Sequence, residues 1–201
     1  SGGMLLTDDD AAAAKARKWS TQSREPAPWY QHNEIGYNYR MSNVIAGVVR
    51  GQLPYLQEHI NQKKAIYDRY KKAFSDIPVT MNPYDEKRSS PNVWLSCILI
   101  DKDAMCEQTR TETAASYVSA KGKSCPTEIL ETIASYNAEG RPIWKPMHAQ
   151  PLYKDNLFVP VTEGSDVGLD VFERGLCLPS DNKMTPEQQD VIIEIVRRCF
   201  D

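Results

Sequence analysis

A chain of 201 residues with 41% hydrophobic and 25% charged residues has an ordinary globular composition and room for one medium domain or two small ones. Its formal charge of −3 gives no broad basic excess to neutralise phosphates, so nucleic acid is not an expected partner. No apolar run approaches membrane-spanning length and no signal peptide is visible, so no membrane association is expected.

Ser1-Gly2-Gly3 reads as an expression scar, or Gly2-Gly3 as a tight turn feeding a short apolar strand, Met4-Leu5-Leu6-Thr7. A native domain seldom opens on a strand with nothing before it to pair with, so the chain is expected to start inside a larger unit. Asp8-Asp9-Asp10 predicts a capping turn for a helix from the run Ala11–Ala14 to about Trp19. A metal cluster is the weaker reading of those aspartates, since such a site needs partners placed elsewhere. Residues 20–35, with Pro26, Pro28, Trp29 and Tyr30, predict a structured loop.

Gly36-Tyr37-Asn38-Tyr39-Arg40-Met41-Ser42-Asn43 packs two aromatics, an Arg and two Asn just before a helix start, a good place to meet a ligand. Ser42 or Asn43 offers the N-cap of a helix through Leu53. Val44-Ile45-Ala46-Gly47-Val48-Val49 is apolar nearly all round, which predicts burial on several sides. Pro54 breaks that pattern and starts a long amphipathic helix to about Phe74, with Leu53, Leu56, Ile60, Tyr67, Tyr70 and Phe74 on its stripe and Lys63 falling among them.

Val79-Thr80-Met81 is a short strand candidate, Asp85–Pro91 a charged loop, and Val93–Ile100 the best strand in the chain. Residues 101–125 read as an irregular excursion: Thr109-x-x-Glu112 resembles a capping box, while Ser116–Ser119 reads equally as extended. Cys125-Pro126-Thr127-Glu128 opens a helix to about Tyr136, and the prolines of Arg141–His148 keep that stretch out of a helix. Leu176–Pro179 is strand-like. Thr185-Pro186-Glu187-Gln188 starts a final helix with Val191, Ile192, Ile195, Val196 and Cys199 on its buried face. Residues 76–201 thus predict a small α/β or α+β unit.

The five cysteines match neither a zinc spacing nor a disulfide framework, and read as reduced thiols of a cytoplasmic protein. Of the three histidines, His59 reads as a surface residue and His32 as structural or ligand-binding with equal weight. His148 follows Arg141, Trp144 and Lys145 on proline-fixed backbone. That cationic and aromatic set suits an anionic or sugar-bearing ligand, against the alternative that Trp144 packs on the core and the charges are solvated. No nucleophile elbow, Walker loop, HExxH helix or metal site is present. The residues alone lead no further than a two-part α/β chain with one polar, aromatic-rich ligand loop.

Four of these stretches carry a resemblance. Gly36–Val44 (GYNYRMSNV), Gly51-Gln52-Leu53, Arg141–His148 (RPIWKPMH) with Gln150-Pro151, and Glu173–Ser180 (ERGLCLPS) resemble the C-terminal half of the DegT/DnrJ/StrS sugar aminotransferases, in the family's order and over nearly the whole chain. Asn92-x-Trp94 and RPIWKPMH look most like the members that aminate UDP-linked 4-keto-6-deoxy-N-acetylhexosamines on the route to bacillosamine-type sugars.

The resemblance implies an α/β fold: the C-terminal portion of a fold type I pyridoxal 5'-phosphate-dependent transferase. Residues 1–53 would be a remnant of the large, cofactor-binding domain, 54–75 a connecting helix, and 76–201 the small domain. It implies a Schiff-base lysine a few residues before the Gly2-Gly3 turn. Lys15 and Lys18 follow the turn, so no lysine of this sequence holds that place. No catalytic residue is therefore expected here, and the chain alone is expected to be inactive. Asn38 matches the residue that reaches the cofactor phosphate of the partner subunit in a two-fold homodimer. Arg40, Arg141, His148 and Trp144 are implied substrate contacts, with Arg40 alternatively fixing its own loop; Trp94 is expected in the core. A nucleotide sugar and an amino donor, glutamate, are the implied small-molecule partners, in cell-surface polysaccharide or glycan biosynthesis.

Two other readings stay open: a non-catalytic fragment or degenerate homologue, and a sugar dehydratase of the same fold with histidine in the lysine's place. Without a large domain, the helix Val44–Val49 would expose apolar surface, so association is expected.

Overall fold

The computed structural model describes residues 3–201, which form two compact units, one within Ser1–Leu56 and the other Gln57–Asp201. The expected turn ahead of Met4 involves Gly2, which lies outside the described residues.

In the first unit, helix α1 (Asp10–Ser20) starts at Asp9, whose carboxylate accepts from the Ala12 amide. Helix α2 (Asn43–Gln52) starts at Ser42, whose hydroxyl accepts from Ile45. Both caps were legible in the sequence. The strand expected at Met4–Thr7 is absent: these residues have no regular structure, because no described strand lies beside them to complete a ladder. The burial expected for α2 is absent too. None of its residues is buried within this chain, and Val44 is 76% exposed.

A single helical turn at Leu53–Tyr55 carries Pro54 and leads into α3 (Leu56–Ala73). The second unit continues through β1 (Val79–Met81), β2 (Ser96–Ile100), β3 (Glu107–Arg110), β4 (Ala115–Val118), α4 (Pro126–Ser135), β5 (Arg141–Pro142), α5 (Val167–Arg174), β6 (Gly175–Leu178) and α6 (Pro186–Arg198). The sheet order is β1-β2-β6-β5, every pair antiparallel, and β3 with β4 forms a separate hairpin. Among the described residues no helix is long and apolar enough to cross a membrane.

Alternation along β2 sends Ser96, Ile98 and Ile100 into the interior and leaves Cys97 and Leu99 half-exposed on the other face. The core joins Ile98, Ile100, Leu176 and Leu178 of the sheet to Ile66, Tyr67, Tyr70 and Phe74, Ile129 and Ile133, and Ile192, Ile195 and Val196 of three helices. Tyr67 and Tyr70 are buried with their hydroxyls satisfied, donating to the carbonyls of Asn82 (2.7 Å) and Pro179 (2.8 Å). The start of α6 is a complete capping box between Thr185 and Gln188. Its buried face runs through Gln189, Ile192, Ile195 and Val196. Val191, expected there, is one helical step off that line and exposed.

Three stretches differ from expectation. The strand expected from Val93 starts only at Ser96, because Val93 takes a left-handed backbone (φ 48°) that interrupts the extended run. Residues 107–118 form an ordered hairpin instead of an irregular excursion. The Thr111 hydroxyl accepts from the amides of Thr113 and Ala114 and makes the turn, so Thr109 caps no helix. Gln108 binds both the amide and hydroxyl of Thr127 at the start of α4, and Arg110 donates to the Phe172 carbonyl at 2.8 Å. Helix α5 was not anticipated at all.

Ile133 has no exposed surface and sits at the centre of this core. Ile133→Ala should lower the unfolding free energy of the second unit by about 2–5 kcal/mol in urea denaturation, and a loss below about 1 kcal/mol would contradict this core assignment.

Candidate functional site

The segment between α1 and α2 folds back on α1 as an arm. Tyr37 and Tyr39 donate their amides to the carbonyls of Trp19 (2.6 Å) and Ser20 (3.0 Å), and Gln22 donates to Tyr37 (2.9 Å). Gln22 and Ser23 both take left-handed backbone, at φ 66° and 51°, to make the bend. Gly36 is required opposite them: a Cβ there would stand 2.3 Å from the Ser23 nitrogen. His32 contacts the Gln22 carbonyl through ring Nδ1 at 2.9 Å, a contact that supports the bend.

Side chains lock the arm a second time. Glu34 bridges Lys15 (2.5 Å), Lys18 (3.1 Å) and the Trp19 indole N–H (3.0 Å), while Lys18 also binds Glu25 at 2.6 Å. The hydrogen bond from Lys15, then those from Trp19 and Lys18, hold the Glu34 carboxyl down at about 2.

This clamp presents Asn38 and Arg40 in a cleft of about 590 Å³, shared with Ser20, Thr21, Gln22 and Arg24. Neither the Asn38 nor the Arg40 side chain has a partner among the described residues, so an amide and a guanidinium stand ready for an anion. Glu25 also lines the cleft, with its carboxylate occupied by Lys18. A phosphate group fits this donor set.

In the second unit the candidates fall in three places. Arg141, on β5, is exposed and ion-paired with Glu139 at 2.6 Å. Trp144 is 63% exposed and tilts against Trp94, ring centroids 6.1 Å apart. Trp94 is equally exposed, which corrects its expected core position: Val93 turns inward and its neighbour is thrown outward. His148 lies in a short turn, Met147–Ala149, with Nε2 2.6 Å from Asp166 and its ring stacked on Phe158 at 3.8 Å. Asp166 also accepts from the Leu169 amide as the cap of α5, and that bond, followed by the one to His148, lowers its carboxyl below the ordinary range.

Sequence reasoning missed Glu34 and Asp166. Asp166 had a readable signal, a capping residue directly before Val167 and Leu169; Glu34 had none, because its three partners come from another helix. Among the described residues no group of three or more His, Cys, Asp or Glu side chains is placed to hold a metal ion.

Because the Glu34 carboxyl lies below its ordinary 4.5, the clamp holds above that value and is released as pH falls toward about 2. The Trp19 indole N–H resonance should therefore shift with a midpoint near 2, and the shift should vanish in Glu34→Gln. A midpoint near 4.5 would show that the clamp does not form in solution.

The sequence profile of the DegT/DnrJ/EryC1/StrS aminotransferase family matches residues 1–197. Over 199 residues the chain is 38% identical to EpsN of Bacillus subtilis, a protein assigned as a pyridoxal phosphate-dependent aminotransferase; the match covers 99% of this chain and 46% of that one. It is 26% identical to a GDP-perosamine synthase of Escherichia coli O157:H7, over 99% of this chain and 47% of that one. In fold it is similar to PseC of Helicobacter pylori, an aminotransferase involved in the biosynthesis of pseudoaminic acid, with a TM-score of 0.73 at 17% identity over 96% of this chain and 46% of that one. The chain thus spans about half the length of the relatives it matches. With its profile matched almost end to end and its α/β fold shared, the chain belongs to the DegT/DnrJ/EryC1/StrS aminotransferase family.

Proposed function

We propose that the chain is part of a pyridoxal phosphate-dependent aminotransferase that acts on a nucleotide-linked 4-keto-6-deoxy sugar in cell-surface polysaccharide or glycan biosynthesis in the cytoplasm, with glutamate as amino donor. The observation that carries this reading is the clamped arm, which offers Asn38 and Arg40 without partners in an anion-compatible cleft. Pyridoxal phosphate, when bound, supplies the electron sink for amino transfer.

The role of the arm is to bind. In a two-fold homodimer the Asn38 amide donates to the cofactor phosphate held by the partner subunit, a charge-assisted bond of about 1.5–3 kcal/mol. Arg40, beside it, adds a cation for that phosphate or for substrate. In this reading Arg141 would meet the diphosphate of a nucleotide sugar, the Trp144 face would cover an apolar sugar or base surface, and His148 would hydrogen-bond through the nitrogen that Asp166 leaves open. None of these side chains has the character of the amine that would hold the cofactor covalently. The 201 residues alone are therefore expected not to turn over substrate.

In the whole protein, Asn38→Ala should weaken pyridoxal phosphate retention by about 10- to 100-fold in equilibrium dialysis, the range of one charge-assisted bond. Unchanged retention would remove Asn38 from the cofactor site. The isolated chain given a 4-keto nucleotide sugar, glutamate and pyridoxal phosphate should form no amino sugar, and turnover would overturn that part of the reading.

A further inference from the structure

Strands β2 and β6 are in register with Cys97 directly opposite Cys177, and the two sulfurs are 3.6 Å apart. The backbone of Cys97 is engaged on the other side: its amide donates to the Asn82 side chain at 2.9 Å, and its carbonyl accepts from the Asn82 amide at 3.0 Å. Toward β6 the pair is therefore a non-hydrogen-bonded one, the closer of the two antiparallel types, with a Cα separation of about 4.5 Å. That lies inside the span a disulfide bridges, about 4.4–6.8 Å, at its lower limit. That separation is short of the commonest one, about 5.5–6 Å, and departures from preferred geometry make a disulfide more reducible.

We propose that Cys97 and Cys177 are a reversible disulfide site, closed by a low-molecular-weight disulfide such as glutathione disulfide. Cys97 is half-exposed and meets the oxidant, while Cys177 is buried behind it. The Cys97 thiolate attacks one sulfur of glutathione disulfide, its S–S bond breaks, and one glutathione thiolate leaves. The Cys177 thiolate then attacks Cys97 Sγ, the protein S–S bond forms, and the second glutathione leaves. Two electrons pass from the protein sulfurs to glutathione disulfide, and the two thiol protons end on the two glutathiones. The S–H···S bond from Cys97, with burial, raises the Cys97 thiol, and the same bond lowers the Cys177 thiol below its ordinary value. Cys106, by contrast, is pushed up to about 12 by burial and has no half-exposed face.

The bond would join positions 80 residues apart in sequence and tie the centre of the sheet. Cys177 also stands opposite Arg141 on β5, so oxidation would fix the strand that carries that cation. The site does not rest on the aminotransferase reading.

The test is incubation of the purified chain in mixtures of glutathione disulfide and reduced glutathione, acid quenching, alkylation of free thiols, digestion and mass spectrometry. The expected result is a peptide pair joined through Cys97 and Cys177 that returns to two alkylated peptides in excess reduced glutathione. Cys97→Ser and Cys177→Ser should each abolish the joined pair. Both thiols remaining alkylatable in the oxidised mixture, a lasting glutathione adduct on Cys97 without a joined pair, a pairing through other cysteines, or a bond that resists excess reduced glutathione would each overturn the proposal.

Discussion

The first unit depends on one close approach, the backbone of Gly36 against that of Ser23. A Cβ on Gly36 would stand 2.3 Å from the Ser23 nitrogen, so the arm closes on α1 only with glycine at that position. Every downstream feature of the arm follows from that closure. Tyr37 and Tyr39 reach the last carbonyls of α1, which a helix end leaves without intrahelical partners. Their rings stack on each other at 5.0 Å on one side of the strand-like run. Asn38, between them, points the opposite way by the same alternation, into the cleft. The motif GYNYR thus divides its labour: the glycine permits the closure, the tyrosines fasten it, and Asn38 and Arg40 remain for a ligand.

In the second unit, motif residues likewise split between architecture and site. The string ERGLCLPS contains Arg174, which binds Asp170 one turn back and donates to the Ile100 carbonyl at the end of β2. It ends with the carbonyls of Pro179 and Ser180, which accept from Tyr70 and Lys63 of α3. Burial raises the Tyr70 phenol above its ordinary value, so the hydroxyl stays a donor across the accessible pH range. These contacts hold the exit of β6 against α3. Lys63, an apparent fault in an apolar stripe, is there because that carbonyl needs a donor.

What the sequence revealed was local chemistry. Asp9, Ser42, Cys125 and Thr185 were readable as helix starts because a cap and its helix are adjacent in the chain. Strands β1 and β6 were readable from short apolar runs. The hairpin β3–β4 was not, since Glu107–Arg110 has no apolar alternation and is held by polar bonds to α4 and α5. Helix α5 was hidden by its eight-residue length and a glycine at its second position. The continuous apolar character of α2 was readable, but its consequence was not: which surface covers such a helix is a property of the assembly, outside a single segment's pattern. In the site, Asn38 and Arg40 were visible as residue types, whereas the clamp that aims them, through Glu34, joins positions 19 and 15 residues apart.

The same reasoning narrows what His148 can do. A histidine on an exposed loop would offer either ring nitrogen to a ligand. Here Asp166 takes Nε2 at 2.6 Å and Phe158 covers the ring face at 3.8 Å. Asp166 is itself fixed, because its other oxygen caps α5 through Leu169. The ring plane is therefore set by a helix start, and Nδ1 is the atom left to meet a ligand. The bond from the Leu169 amide, then the one to the His148 ring, lowers the Asp166 carboxyl below its ordinary range, so the partner that fixes the ring stays an acceptor. That ties the orientation of His148 to the integrity of α5, the helix that leads directly into Cys177 and the ERGLCLPS strand.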